Sequence, residues 1–187
     1  MTLKALREWM PAQRSQLRVV LTDIDDTLTT HGQLSAASLD ALARAKQAGW
    51  LRIAVTGRPT YWTLPLLRLC DFDAVIAENG ASAFWLDRDG QQQALFYADA
   101  ETRKQHRKAL QALAGVLQSR FPEVMVASDA AQRIGDLAFD IGETISPLPV
   151  ERVEEIVAFM RDSGFHTTVS SIHAHASVLP FSKQTMT

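Results

Sequence analysis

The chain has 187 residues, 47% of them apolar and 21% charged, a globular composition sized for one medium domain or two small ones. A formal net charge of −2 leaves no electrostatic footprint for nucleic acid. A single cysteine excludes an internal disulfide, no apolar stretch reaches the length of a membrane span, and Met1 to Gln16 does not resemble a secretory signal, so a cytoplasmic protein with neither nucleic acid nor membrane as partner is expected.

Leu3, Leu6 and Met10 at helical spacing predict a short amphipathic helix over 3–10. Arg18 to Thr22 is apolar and β-branched and reads as a buried strand of a parallel sheet. Ser35 is placed to cap a helix with Leu39, Leu42 and Ala45–Ala48 inward, and Gly49 to stop it. Leu51–Val55 is a second strand, Pro59 opens a second helix, and Ala74–Ala77 is a third strand. This alternation of strand and helix from Thr22 to Gly80 predicts an α/β fold with a parallel sheet. Cys70 lies in the apolar run 66–70, where packing is its expected role.

After Gly80 the pattern changes. Ala83–Leu86 and Ala94–Ala98 are expected to pair as a hairpin across Asp87-Arg88-Asp89-Gly90. A helix follows over Glu101–Arg120, with Leu110, Leu113, Ala114, Leu117 and Phe121 on one face. Strands are expected at Val124–Ala127 and Leu137–Ile141. Pro149 opens a helix with Val150, Val153, Val157 and Met160 inward, Gly164 ends it, and Phe165–Leu179 is strand-like. The block resembles a small α+β module inserted in the α/β core.

Asp23-Ile24-Asp25-Asp26-Thr27 follows the first strand directly, where ligands bind in open α/β sheets. Asp23 and Asp25 are two apart, so in extended chain their carboxylates point the same way. A divalent cation relieves their mutual repulsion, and magnesium takes one or two carboxylates with water and phosphate oxygens. One carboxylate is then available to attack phosphorus and the other to move protons. Taken alone, the motif is equally an acidic solvated turn. A calcium loop is excluded, because its sixth and twelfth positions need glycine and glutamate and here hold Leu28 and Leu34. Val55-Thr56-Gly57-Arg58-Pro59 follows the second strand in the same way: Thr56 offers a hydroxyl, Gly57 lets backbone approach a ligand, and the helix start favours an anion.

These segments resemble the haloacid dehalogenase superfamily. Leu21–Leu28 is similar to its first motif, Val55–Pro59 to its second, and Ala77-Glu78-Asn79-Gly80-Ala81 to a signature of the branch with a large cap after the third strand, which includes Cof-like sugar phosphatases, sucrose-phosphate phosphatase, mannosyl-3-phosphoglycerate phosphatase and phosphomannomutase. Ser182-Lys183-Gln184 resembles the third motif. The resemblance implies a Rossmann-like core over 1–85 and 181–187 with an inserted α+β cap over 86–180. It implies Asp23 as nucleophile, Asp25 as general acid/base, Thr56 as phosphate ligand, Lys183 as charge stabiliser, and Mg2+ held by Asp23 and Asp25. Thr27, Gly57, Arg58 and Asn79 are expected around the phosphate.

Asp26 stands where many members have glycine, a tolerated change between reactive positions. An acidic fourth motif is absent after Lys183, which implies an incomplete metal site, an unpaired first strand available for self-association, and a fragment, truncated product or split protein. In the cap, Ser171 and His173 are expected to bond a sugar and Arg133 a second anionic group. His173 and His175 alternate on a strand, with zinc, completed by His166, as a lesser alternative. The expected activity is magnesium-dependent hydrolysis of a small phosphorylated sugar or sugar acid. The alternatives are a phosphomannomutase-like phosphotransferase and a non-catalytic binding module.

Overall fold

The computed structural model describes residues 5–187. The helix expected over 3–10 begins outside them. The described part is one 3-10 turn over Leu6–Glu8, followed by the short helix α1, Pro11–Arg14. Pro11 enforces the break, because the residue before a proline is pushed out of the helical region, and Met10 is extended at φ −61° and ψ 147°.

The first sheet has five strands: β1 (Val19–Thr22), β4 (Leu51–Val55), β5 (Ala74–Ala77), β6 (Ser82–Leu86) and β7 (Gln92–Phe96), in that spatial order. β1, β4 and β5 pair in parallel, and β6 and β7 add antiparallel beyond β5. The fold is therefore α/β with a mixed sheet rather than a purely parallel one. β6 is apolar from Ala83 to Leu86 and pairs with β5 on one side and β7 on the other, so the hairpin extends this sheet and does not start the second module. A boundary at 85/86 falls inside β6. Among the described residues β1 pairs with β4 alone, and Val19 and Leu21 on it are exposed.

A two-stranded ribbon, β2 (Thr29–Thr30) with β3 (Gln33–Leu34), leads from the β1 loop to α2, Ala36–Gln47. Ser35 caps α2 by accepting from the Ser38 N–H at 3.1 Å. After β4, one 3-10 turn at Thr60–Trp62 runs into α3, Thr63–Leu69. Leu42 of α2 and Leu66 and Leu67 of α3 pack with Ile24, Ala54, Phe72, Val75, Ala77 and Phe84 in the first core. Leu39, expected inward, is exposed. Burial alone raises the pKa of Cys70, consistent with packing.

The second sheet has four strands in the order β10 (His166–Val169), β11 (His173–Ser177), β9 (Asp136–Asp140) and β8 (Met125–Val126), all antiparallel. Its helices are α4, Ala100–Arg120, capped by Asp99 through the Thr102 N–H at 2.8 Å, and α5, Val150–Asp162. Residues directly opposite in an antiparallel pair share a face. Ala174 opposite Phe139 and Ala176 opposite Leu137 therefore lie together, and they pack on Leu113 and Leu117 of α4 and Ile156 and Met160 of α5. Val150, expected inward, is exposed. The other face carries Asp136, Asp140, His173, His175 and Ser177 and is buried too, although it is polar.

Among the described residues no helix is long and apolar enough to cross a membrane.

Candidate active site

The loop after β1 turns on the Ile24 carbonyl, which accepts from the N–H groups of Thr27, Leu28 and Thr29. The turn forces Asp26 to φ 57°. Aspartate tolerates this left-handed conformation better than most residues, which accounts for its standing in a glycine position. Asp23 ends up part-exposed and Asp25 exposed. Thr27 is exposed in the same turn.

Lys183 reaches Asp23 across 160 residues, Nζ to Oδ2 at 2.7 Å, while the other Asp23 oxygen accepts the Ile24 N–H at 2.8 Å. The returning chain is seated by packing. Phe181 is buried against Tyr97, ring centroids 5.8 Å apart. A Cβ on Gly80, at φ 107°, would collide with the Ser182 carbonyl oxygen. Only glycine fits that crossing.

Arg58 holds Asp25 with a two-pronged grip, Nη2 to Oδ1 at 2.6 Å and Nε to Oδ2 at 3.0 Å. Its guanidinium also lies 4.3 Å from the Trp62 ring centroid. Asp25 first, with Tyr61 and Glu143 adding smaller effects, raises the Arg58 pKa above its ordinary value. Thr56 is fully buried, and its Oγ1 accepts the Arg58 N–H at 3.0 Å. The Asn79 N–H donates to the Thr56 carbonyl at 3.0 Å, and its side chain sits close enough to Gly57 that a Cβ there would be 3.1 Å from the amide oxygen.

The structure thus gathers Asp23, Asp25, Thr56, Gly57, Arg58, Asn79 and Lys183. It does not do the same for the residues expected in the cap. Arg133 is buried and its donors are used: Nε and Nη2 reach the two oxygens of Asp129 at 2.8 Å each, and Nη1 reaches Asp136 at 3.0 Å and the Gly57 carbonyl at 3.1 Å. The expectation that it meets a second substrate anion is corrected by this pairing, since a buried cation demands partners of its own. Ser171 is exposed in the β10–β11 turn and lines a groove with Val150, Val157 and Arg161 of α5, on the helix side of the second sheet. That side is opposite to the polar face, so the structure does not bring Ser171 to the aspartate loop.

His173 lies on the polar face with Nε2 2.9 Å from Glu143 Oε2, and His175 Nδ1 is 3.0 Å from Asp136 Oδ2. With each imidazole engaged by a carboxylate, the zinc alternative finds no support, and among the described residues no three His, Cys, Asp or Glu side chains gather as a metal cluster.

Three residues were missed from the sequence. Glu143 is set by Asp140, whose carboxylate accepts from the Gly142, Glu143 and Thr144 amides and the Thr144 hydroxyl. Burial works against the ionised form of Asp140, but the Thr144 hydroxyl and those amides outweigh it and bring the pKa down to about 2. Asp136 is the buried partner of both Arg133 and His175. Glu78 is fully buried at φ 49°, beginning a run of left-handed residues through Asn79 and Gly80. Its Oε2 accepts from the Ile134 and Gly135 amides at 2.9 and 2.8 Å. Burial first, then Asp136, pushes its pKa up to about 7 against the pull of those amides and Arg133. The only sequence signal near it is Asn79-Gly80, a pair that favours left-handed backbone.

As donors for magnesium, Asp23 and Asp25 are two part-exposed carboxylates on one loop, a set that fits an ion keeping water and phosphate oxygens for its remaining positions.

Sheet order and an acidic loop at the strand ends define an α/β protein of the Rossmann type. The haloacid dehalogenase-like hydrolase family matches residues 20–123, more than half of the chain, and the chain belongs to that family. A search of curated proteins by sequence gives no match. Among solved structures, a Thermoplasma acidophilum protein is similar at 17% identity and TM-score 0.70, covering 91% of this chain and 68% of its own. A phosphatase of the haloalkanoate superfamily from Bacteroides thetaiotaomicron is 20% identical at TM-score 0.58, with 95% and 73% covered. A subclass IIB sugar phosphatase is 14% identical at TM-score 0.60, with 90% and 73% covered. At these identities the likeness is one of fold.

Proposed function

We propose that this hydrolase is a phosphomonoesterase that cleaves a small phosphorylated sugar through an aspartyl-phosphate on Asp23. The observation that carries the reading is the Lys183–Asp23 contact of 2.7 Å. It brings together two residues 160 positions apart beside the end of β1 and leaves one face of the carboxylate open to a substrate, as a nucleophile requires.

In the first step an Asp23 oxygen bonds to phosphorus and the bond from phosphorus to the sugar oxygen breaks. Asp25 supplies the proton to that leaving oxygen. Water then attacks phosphorus, Asp25 takes its proton, the phosphorus–Asp23 bond breaks and inorganic phosphate leaves. Asp25 rests with both oxygens on Arg58, so it must come off the guanidinium before it can carry a proton. The freed guanidinium has the fork geometry for phosphoryl oxygens. Lys183 holds Asp23 by one of its three donors and offers the others to the phosphate. Magnesium bound by Asp23 and Asp25 would supply further neutralisation of the phosphoryl oxygens.

The second sheet, with α4 and α5, is proposed as the cap that covers the sugar. Glu143, held by His173 and contributing to the raised pKa of Arg58, supports hydroxyl groups as its target. A carboxylate there disfavours a sugar acid, and Arg133 is not free to offset it.

The test is phosphate release from an aryl phosphate and from a panel of sugar phosphates, with and without magnesium, by wild type and Asp23→Asn. Release by wild type alone supports the reading. Comparable release by both removes Asp23 as nucleophile. Exchange between sugar 1- and 6-phosphates without release would make the protein a phosphotransferase.

A further inference from the structure

We infer that Arg133 is a positioning residue for the Thr56–Arg58 turn, acting from the second module on a peptide that cannot hold itself. The inference rests on the phosphatase reading for its catalytic consequence, but its geometry stands apart from that reading.

Gly57 has no Cβ, so its two flanking peptides rotate more freely than any others in the turn. The Gly57–Arg58 peptide is planar and trans, with its carbonyl and N–H pointing opposite ways. Arg133 Nη1 grips the carbonyl at 3.1 Å, and Thr56 Oγ1 takes the N–H at 3.0 Å. Held at both ends, the peptide cannot flip. The next carbonyl, that of Arg58, accepts the Glu78 N–H at 3.0 Å. Both backbone polar groups of Arg58 are thus fixed, and its side chain is aimed at Asp25.

The grip depends on Arg133 itself being immobile. Asp129 and Asp136 bracket the guanidinium on two edges, and His175 holds the far oxygen of Asp136. Glu78 adds a reciprocal tie, reaching from the first module to the amides of Ile134 and Gly135. Thr60 Oγ1 donates to the Gln132 carbonyl at 3.3 Å. Gly135 lies so close to Ala81 that a Cβ would overlap it. Segment 132–136 is therefore docked on the turn by contacts in both directions. A guanidinium is required because one nitrogen must serve Asp136 and Gly57 while the others hold Asp129, which a single ammonium cannot do.

The experiment pairs amide hydrogen exchange with steady-state kinetics on wild type, Arg133→Ala and Arg133→Lys. Exchange at residues 56–58 is expected to quicken by about tenfold or more in Arg133→Ala while α5 is unchanged, and by less in Arg133→Lys. Turnover of an aryl phosphate and of a sugar phosphate is expected to fall by the same factor, about a hundredfold for the alanine variant, with KM for both little altered. A rise in KM confined to the sugar phosphate would make Arg133 a substrate contact and overturn the inference. So would unchanged exchange at 56–58, or faster exchange in every segment alike. Should Arg133→Ala fail to fold, Arg133→Lys keeps the buried charge and carries both measurements. If wild type shows no phosphatase turnover, the functional reading falls while the exchange result still decides the role of Arg133.

Discussion

Two sets of ion pairs meet at the Thr56–Arg58 turn and differ in almost every respect except distance. On the outer side Asp23–Lys183 and Asp25–Arg58 are part-exposed, each a single carboxylate with a single cation. On the inner side Arg133, Asp129, Asp136, His175 and Glu78 form a buried group crossed by backbone donors and acceptors. Exposed pairs are weakly held and exchange partners with substrate or water at little cost. A buried set resists any change, because removing one member strands another without solvent. The wet pairs therefore suit chemistry and the dry set suits alignment.

Substitutions should break the two sides differently. Asp25→Asn is expected to lower turnover about 10²- to 10⁴-fold with unfolding unchanged, measured by phosphate release beside urea denaturation. A comparable loss of stability would place Asp25 with the dry set. Lys183→Ala should cost about 10²- to 10³-fold in turnover, again with little loss of stability.

Gly135→Ala should do the reverse. It inserts a methyl group against Ala81 and Phe181, costing about 1–3 kcal/mol in urea denaturation. A variant as stable as wild type would mean that segment 132–136 is not tightly docked.

A smaller effect sharpens the comparison through pH. Glu78 has its pKa raised from 4.5 to about 7 in the folded protein, with Asp136, Arg133 and the Ile134 and Gly135 amides facing it. The folded state thus binds this proton more tightly than the unfolded chain, so the Glu78 contribution falls as pH rises from 4.5 towards 7. The limit is about 1.4 kcal/mol per pH unit. Subtracting Glu78→Gln from wild type across that range should reveal this slope, and parallel curves would show that Glu78 does not titrate there. Smallest of all, His173→Ala should raise KM for a sugar phosphate about three- to tenfold and leave KM for an aryl phosphate unchanged. Equal changes would make the His173–Glu143 pair structural only.

The aspartate loop and the Thr-Gly turn of the wet side are legible in the sequence because their signals are local, whereas Lys183, 160 residues from Asp23, is reached only through the family resemblance. An aspartate pair or a Thr-Gly turn announces itself at the end of an apolar run, and Ser35, Gly49 and Gly164 punctuate helices within a few residues. The dry side was not legible. Arg133 finds Gly57 across 76 residues, and Ile134 and Gly135 find Glu78 across 56 and 57. No periodicity encodes such pairings, so Arg133 looked like a free cation available to a ligand. The β6–β7 hairpin is half legible: the Asp87–Gly90 turn between two runs predicts the pairing, which forms, but not which sheet the strands join. The histidine alternation on β11 did foretell a shared face, since side chains in a strand repeat every two residues.

The crossing of the chain at Gly80 and Ser182 bears on how the protein acquires activity as it folds. Gly80 joins β5 to β6 within the first sheet and Ser182 follows the whole second module, so the lysine arrives only after the chain between them has compacted enough to bring those points together. Loop closure over that span is entropically costly, and contacts of such long sequence separation form slowly. The strands of the first sheet need no such closure. Refolding should therefore restore backbone circular dichroism before enzymatic turnover, with an interval that lengthens when α4 or α5 is weakened by a core substitution such as Leu117→Ala or Met160→Ala. Simultaneous recovery of both signals would show that the nucleophile and its lysine come together as early as the strands themselves.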